Sequence, residues 1–361
     1  TTPATTTPAT TTPATTTPAT TTPSETRKVY TATLSKARGD LAATTVGTKA
    51  IFAGGRIEPS RDYALSYSNV VDIYDSQTDT WSTATLSKAR SLLAATTVGT
   101  KAIFAGGDTG NGLTNIVDIY DSLTGTWSTA TLSIARSSLV ATTVGTKAIF
   151  AGGSSEKSNR SNVVDIYDSK TNTWKTATLS QGRIGLIATT AGTKALFAGG
   201  QPGGWGITTN IVDIYDSQTE TWSTAKLSYG RTELSATTVG TKAIFAGGNI
   251  ESSSPWNDSV DIYDSQTNTW STAALSLARY TLAATSVDTK AIFAGGAGSN
   301  SMETTNVVDI YDSLTDTWST GTLSQARYRL AATSVGTKAI FAGGYSSSTE
   351  VSDVVDIFNF K

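Results

Sequence analysis

The sequence predicts an all-β protein: a seven-bladed β-propeller of four antiparallel strands per blade, preceded by an extended N-terminal tail. Three observations predict it. Seven FAGG runs punctuate the chain, β-prone runs fill every interval between them, and the first and last segments complete each other. The glycine pairs begin at Gly54, Gly106, Gly152, Gly199, Gly247, Gly295 and Gly343, 46 to 52 residues apart. A period of this size built from short strands belongs to propeller blades and not to helical solenoids. Residues 26–361 are therefore one domain, although 361 residues would by length alone allow two or three.

Within each interval four strands rich in β-branched and aromatic residues alternate with turn signals. In the second copy they are expected at Leu93 to Val98, Lys101 to Ala105, Ile116 to Tyr120 and Thr126 to Thr131. The first is mostly Ala and Thr, which suits the crowded innermost position around a channel. The glycines ending the second strand permit close approach and positive φ. Asp121-Ser122 with Thr124-Gly125 supplies the turn before the fourth strand, which Trp127 opens with a large ring expected to be buried.

This order of a double glycine after an apolar strand, a Tyr-Asp, a Trp about seven residues on and an Arg beyond resembles the Kelch repeat. Trp81, Trp127, Trp174, Trp222, Trp270 and Trp318 fill the Trp position, and Val29 stands in the seventh. The chain ends on a third strand, VVDIFNFK, and begins its repeats with a lone fourth strand in KVYTATLSKAR. Pairing the two closes the ring in one shared blade and removes its open edges.

Residues 1–25 read as a separate stalk. Residues 1–23 are 14 Thr, 5 Pro and 4 Ala, without charge or large apolar side chains, and cannot form a core. Proline every fifth residue favours polyproline II, about 3.1 Å per residue or roughly 70 Å in all. Dense Thr beside Pro is the composition of O-glycosylated, mucin-like stalks. The candidate acceptors are Thr1, Thr2, Thr5, Thr6, Thr7, Thr10, Thr11, Thr12, Thr15, Thr16, Thr17, Thr20, Thr21 and Thr22. The start at Thr1-Thr2-Pro3, without Met or an apolar leader, reads as a mature or trimmed product.

Charge is nearly balanced, 27 Lys+Arg against 29 Asp+Glu, so no basic field is available for nucleic acid or an anionic membrane. No apolar run approaches the roughly 18 residues of a membrane span. Cys and His are both absent. Zinc, copper and haem lose their usual ligands, and Ser-His-Asp or Cys-His catalysis is excluded. No metal and no cofactor is expected.

Four-stranded blades give the disc two unlike faces. One carries the near-invariant VGTK turns and the DSxTxTW turns, as turn geometry alone would require. The other carries the loops between second and third strands, from eight residues (108–115) to fourteen (56–69), with Pro59, Pro202, Pro255, Met302, Trp205 and Trp256. Loops on a rigid scaffold are where binding usually sits. The aromatics there, Tyr63, Tyr67, Trp205, Trp256 and Tyr345, are candidates for stacking on sugar or anchoring a protein.

The same face receives the connections between blades, each with an Arg: Arg38, Arg90, Arg136, Arg183, Arg231, Arg279 and Arg327. Sevenfold repetition favours a structural tie between blades. Two positions on, the residue changes from blade to blade: Asp40, Leu92, Ser138, Gly185, Glu233, Thr281 and Arg329. Asp40 and Arg329 belong to adjacent blades and are expected to form an ion pair across the closure. Tyr229, Tyr280 and Tyr328 gather on blades five to seven as a candidate contact patch. Asn159 and Asn257 begin Asn-x-Ser sequons in the variable loops.

These features favour a non-enzymatic extracellular structural or interaction protein, its propeller displayed on or polymerised through the glycosylated stalk as a surface or filament component. Its partners would be itself, covalent glycans and an extracellular protein or carbohydrate. The alternative is a carbohydrate- or protein-binding module acting through the variable loops. An enzyme fits less well. The resemblance extends to a copper oxidase whose Tyr, Cys and His requirements cannot be met here. A glycosidase needs paired carboxylates about 5–9.5 Å apart, whereas Asp40 and Glu233 are expected to lie too far apart across the channel. The resemblance also implies intracellular adaptors, but those carry further folded domains and the TTPAT stalk fits them poorly.

Overall fold

The computed structural model describes residues 28–57, 67–204, 206–250, 257–298 and 303–360. Seven four-stranded antiparallel sheets form the ring. Blade 1 runs Ala42–Val46, Lys49–Ala53, Val70–Asp75 and Thr80–Thr85. Blade 2 runs Ala94–Val98, Lys101–Ala105, Ile116–Asp121 and Thr126–Thr131, within a residue of the expected bounds. Blade 7 takes Ala331–Val335, Lys338–Ala342 and Val354–Asn359 from the C-terminal end and its outer strand, Lys28–Thr33, from the other. Tyr30 faces Ile357 and Thr33 faces Val354, so the closure is the shared blade the sequence implies. Among the described residues no helix is long and apolar enough to cross a membrane.

The core is divided into seven equivalent pieces, each filled from two neighbouring blades. Alternation along the second strand does this, because successive side chains point to opposite sheet faces. Ile51 and Ala53 of blade 1 pack with Leu93, Phe104 and Tyr120 of blade 2, whereas Ala50 and Phe52 turn the other way, towards Val335 and Ile340 of blade 7. The outer Trp rings are half-buried, not buried as expected, because the outermost strand has a sheet on one side and solvent on the other. Each lies over the Tyr of its own third strand, at 5.1–5.3 Å between centroids.

Blades are stapled at the glycine pairs. Gly54 and Gly55 have φ of 69° and 107°, conformations that glycine adopts without strain. A Cβ on Gly54 would lie 2.6 Å from the carbonyl oxygen of Arg90, and the Gly55 amide donates to that same oxygen at 2.9 Å. Blade 2 thus enters on a backbone bond that any larger residue at Gly54 would obstruct.

Candidate functional site

The connection into each blade is built around its arginine. All seven are fully buried and each pairs with the aspartate of the third strand. Arg38 reaches Asp72 at 2.6 Å, Arg90 reaches Asp118 at 2.7 Å and Arg279 reaches Asp309 at 2.7 Å. Arg136–Asp165, Arg183–Asp213, Arg231–Asp261 and Arg327–Asp356 repeat the pair. A second amino proton goes to a backbone carbonyl, Phe52 for Arg38 at 3.2 Å, and the Asp72 carboxylate also accepts the Ser35 amide at 3.0 Å. Meanwhile the Arg38 backbone bonds to Ser352 and Gly344 of blade 7. One residue therefore ties two blades, as the sequence pattern suggested. Burial pulls these guanidinium pKa values down against the opposing pull of the aspartates, that of Arg231 to about 10, which leaves them cationic at neutral pH.

Two residues beyond each arginine the chain turns through a left-handed conformation, with φ between 50° and 65° from Asp40 round to Arg329. Six of the seven amides here donate to the carbonyl of the preceding blade: Asp40 to Arg329, Leu92 to Asp40, Ser138 to Leu92, Glu233 to Gly185, Thr281 to Glu233 and Arg329 to Thr281. The backbone thereby forms a nearly complete collar around the channel mouth, so the seven positions share one rim whatever their chemistry.

The collar is lopsided. Blades 2 to 4 supply Leu92, Ser138 and Gly185. On the opposite arc Arg329 bonds to Asp40 at 3.3 Å and to Glu233 at 3.4 Å. The expected closure pair is present. The expected separation of Asp40 from Glu233 is corrected: both carboxylates converge on one guanidinium, because Arg329 is long enough to span the arc over Thr281. Burial lowers the pKa of Arg329, but Asp40 and Glu233 outweigh it and the net shift is upward. With a fixed cation between them, the two carboxylates make a salt-bridged cluster and not a free acid and base.

Tyr345 completes this arc, and its position corrects the sequence reading. It is buried, 5% exposed, and so offers no ring for stacking on a ligand. Backbone bonds pair it with Tyr328, its ring lies 5.3 Å from the Tyr328 ring, and its hydroxyl donates to Asp40 at 2.7 Å. Gly39 makes room: a Cβ there would lie 2.2 Å from the Tyr345 ring. Burial and the adjacent Asp40 drive the Tyr345 phenol far above its ordinary pKa.

Tyr328 and Tyr280 are half-buried beside the cluster, whereas Tyr229, 56% exposed, holds the place of Lys36 and Lys88 on the outward side of its connection and joins neither ring. Tyr67 lies half-buried under Arg56, 5.6 Å from guanidinium to ring, and its hydroxyl donates to Asp108 at 3.4 Å. Tyr63, Trp205, Trp256 and all fourteen stalk threonines lie outside the described residues.

Asn159 is exposed, but Asn257 is not a free acceptor. It is 6% exposed and its Oδ1 accepts the Ser259 amide at 2.6 Å, the turn made by Ser68 in blade 1 and Thr114 in blade 2. Asp108 is the member that sequence reasoning missed, and Glu233 was weighed only as a carboxylate too distant from Asp40. The signal for Glu233 was its place in the variable series; Asp108 follows a glycine pair directly, where Tyr345 also stands.

The opposite face bears out the structural reading of its lysines. Lys101 pairs with Asp121 at 2.9 Å and Lys290 with Asp312 at 2.8 Å, while Lys338 crosses to Asp79 of the next blade at 2.8 Å.

The Kelch motif matches residues 89–131 and 135–178, which are blades 2 and 3 with their entering connections. No curated protein matches the chain. Two of the seven blades match the Kelch motif and the same strand register runs through all seven, so the fold is a seven-bladed β-propeller built of Kelch-like repeats.

Proposed function

We propose that this protein is a non-enzymatic interaction protein whose partner contacts lie on the variable face at the charged arc of the channel mouth, and that it acts extracellularly on an O-glycosylated stalk, as a surface or filament component. Kelch-repeat propellers are typically interaction scaffolds. The observation that carries the reading is the contrast between seven repeated Arg–Asp ties and the single Asp40–Arg329–Glu233 cluster, a half-exposed charge pattern on a rigid rim. Such a pattern selects partners by complementary charge more than it supplies raw affinity. With Tyr345 folded inward, the described rim has lost one sugar-stacking platform, which favours a protein partner over a carbohydrate.

Two measurements test it. Intact mass of the natively produced protein should exceed that of the bare chain by whole hexose or hexosamine increments confined to residues 1–25. Capture of partners by the full chain should weaken at least tenfold for Arg329→Glu and be unchanged for Lys290→Gln on the opposite face. Equal capture by both variants removes the channel-mouth assignment.

A further inference from the structure

The variable loop of blade 2 contains the one Asn-Gly step in the chain, Asn111-Gly112. Asparagine is a thermolabile residue, and a following glycine has no side chain to keep its backbone nitrogen away from the asparagine amide. The loop is a tight hairpin: Asp108 pairs with Leu113 across it, and the Thr109 amide donates to the Gly112 carbonyl at 3.1 Å. The reciprocal bond is not made. Among the described residues the Gly112 amide has no acceptor, and the exposed Asn111 side chain has no hydrogen-bond partner.

Asn115, in the same loop, shows the opposite arrangement. Its Nδ2 donates to the Leu132 carbonyl at 3.3 Å, while the following Ile116 is β-branched and its amide is already bonded to the Thr114 hydroxyl at 3.2 Å. Asn172 is also held: its Oδ1 accepts the Tyr167 hydroxyl at 2.8 Å, and the bulkier Thr173 follows it. What is tied down at these asparagines is loose at Asn111. Gly112 has a φ of 121°, and its open side faces the exposed carboxylate of Glu156 in blade 3, 3.5 Å from where a Cβ would stand.

We propose that Asn111 is a self-modifying site. The Gly112 nitrogen gives up its proton to water and attacks Cγ of Asn111, the Cγ–Nδ2 bond breaks, and ammonia leaves a cyclic succinimide behind. Water then opens one ring carbonyl or the other, giving aspartate at position 111 or isoaspartate, in which the main chain runs through the side-chain carbon. In all, one water is consumed and one ammonia released. Either product adds one negative charge to the formal −2 of the chain. It stands beside Glu156 and in the hairpin of Asp108, at the blade where the collar offers the uncharged Leu92, so the neutral arc of the variable face turns acidic as the molecule ages. This chemistry does not depend on the interaction function proposed above.

Peptide mapping of the full chain, held at mildly alkaline pH and sampled over time, tests it. A more acidic species should accumulate on anion exchange and carry the mass change of NH exchanged for O. Fragmentation should place that change at Asn111 within the tryptic peptide 102–136, where Asn115 serves as the internal control. An isoaspartyl methyltransferase should label the same peptide. Asn111→Gln should abolish both signals, and Gly112→Ala should slow them at least about tenfold, because a Cβ obstructs the attacking nitrogen and disfavours the positive φ. Unchanged melting of both variants by circular dichroism shows that the ring is intact. The absence of an acidic species overturns the proposal, as does conversion of Asn115 at an equal rate or an acidic species that persists undiminished in Asn111→Gln.

Discussion

Arg327 and Arg329 stand two residues apart and answer to different constraints. Arg327 is fully buried, pairs with Asp356 and has six counterparts; Arg329 is 40% exposed at its side chain, bridges Asp40 and Glu233, and has none. The first belongs to the frame that makes blades equivalent. The second uses that equivalence, because a collar holding every seventh of the rim alike lets one substitution per blade write a pattern on it.

Removing the two side chains should separate these roles most widely. Arg327→Ala leaves Asp356 buried without its cation and should cost about 3–5 kcal/mol, whereas Arg327→Met with Asp356→Leu should recover most of that loss. Arg329→Ala should cost less, about 1–2 kcal/mol, because Glu233 is partly exposed but Asp40, 6% exposed, keeps only the Tyr345 hydroxyl as partner. Urea unfolding reads all of these, and equal losses at the two positions would collapse the distinction between frame and rim.

Gly39→Val sharpens the comparison at the closure. Its side chain would enter the space of the Tyr345 ring, at a cost of about 1–3 kcal/mol. Adding Tyr345→Ala should return part of that, and a fully additive double variant would mean the ring does not lie over Gly39.

The smallest effect concerns acid. Asp75 and Asp121 are held at about 2, Asp75 chiefly by its hydrogen bond from Lys49 and Asp121 by the one from Lys101. A folded value below the ordinary 3.8 means stability that is full above about pH 4 and lost as pH falls towards 2. Each partly exposed pair contributes under about 1 kcal/mol. With no histidine in the chain, the thermal midpoint should be flat from pH 8 to 5 and fall below 4. Lys101→Met should make that fall shallower.

Strand order, closure and the arginine ties were legible in the sequence because each rests on a pattern repeated at fixed spacing, and repetition averages out local ambiguity. The Asp40–Arg329 pair was legible for the same reason: both residues occupy equivalent positions in adjacent blades. Tyr345 was misread because its burial depends on a glycine some 300 positions away, in the blade that the closure brings beside it. Glu233 was misjudged because its reach to Arg329 depends on side-chain length, which spacing does not encode. Asn257 shows a third limit: a sequon and a turn-forming residue are spelled alike, and only burial tells them apart.

The shared seventh blade has a mechanical consequence. Lys28 faces Asn359, so both chain ends leave the ladder at the same end of two neighbouring strands. Tension applied between them would peel the rungs one at a time, at low force. Tension applied between Lys28 and an anchor on the far blade would instead load the whole ladder in shear. The closure therefore resists load between its outer strand and the far side of the ring better than load between its two adjoining strands.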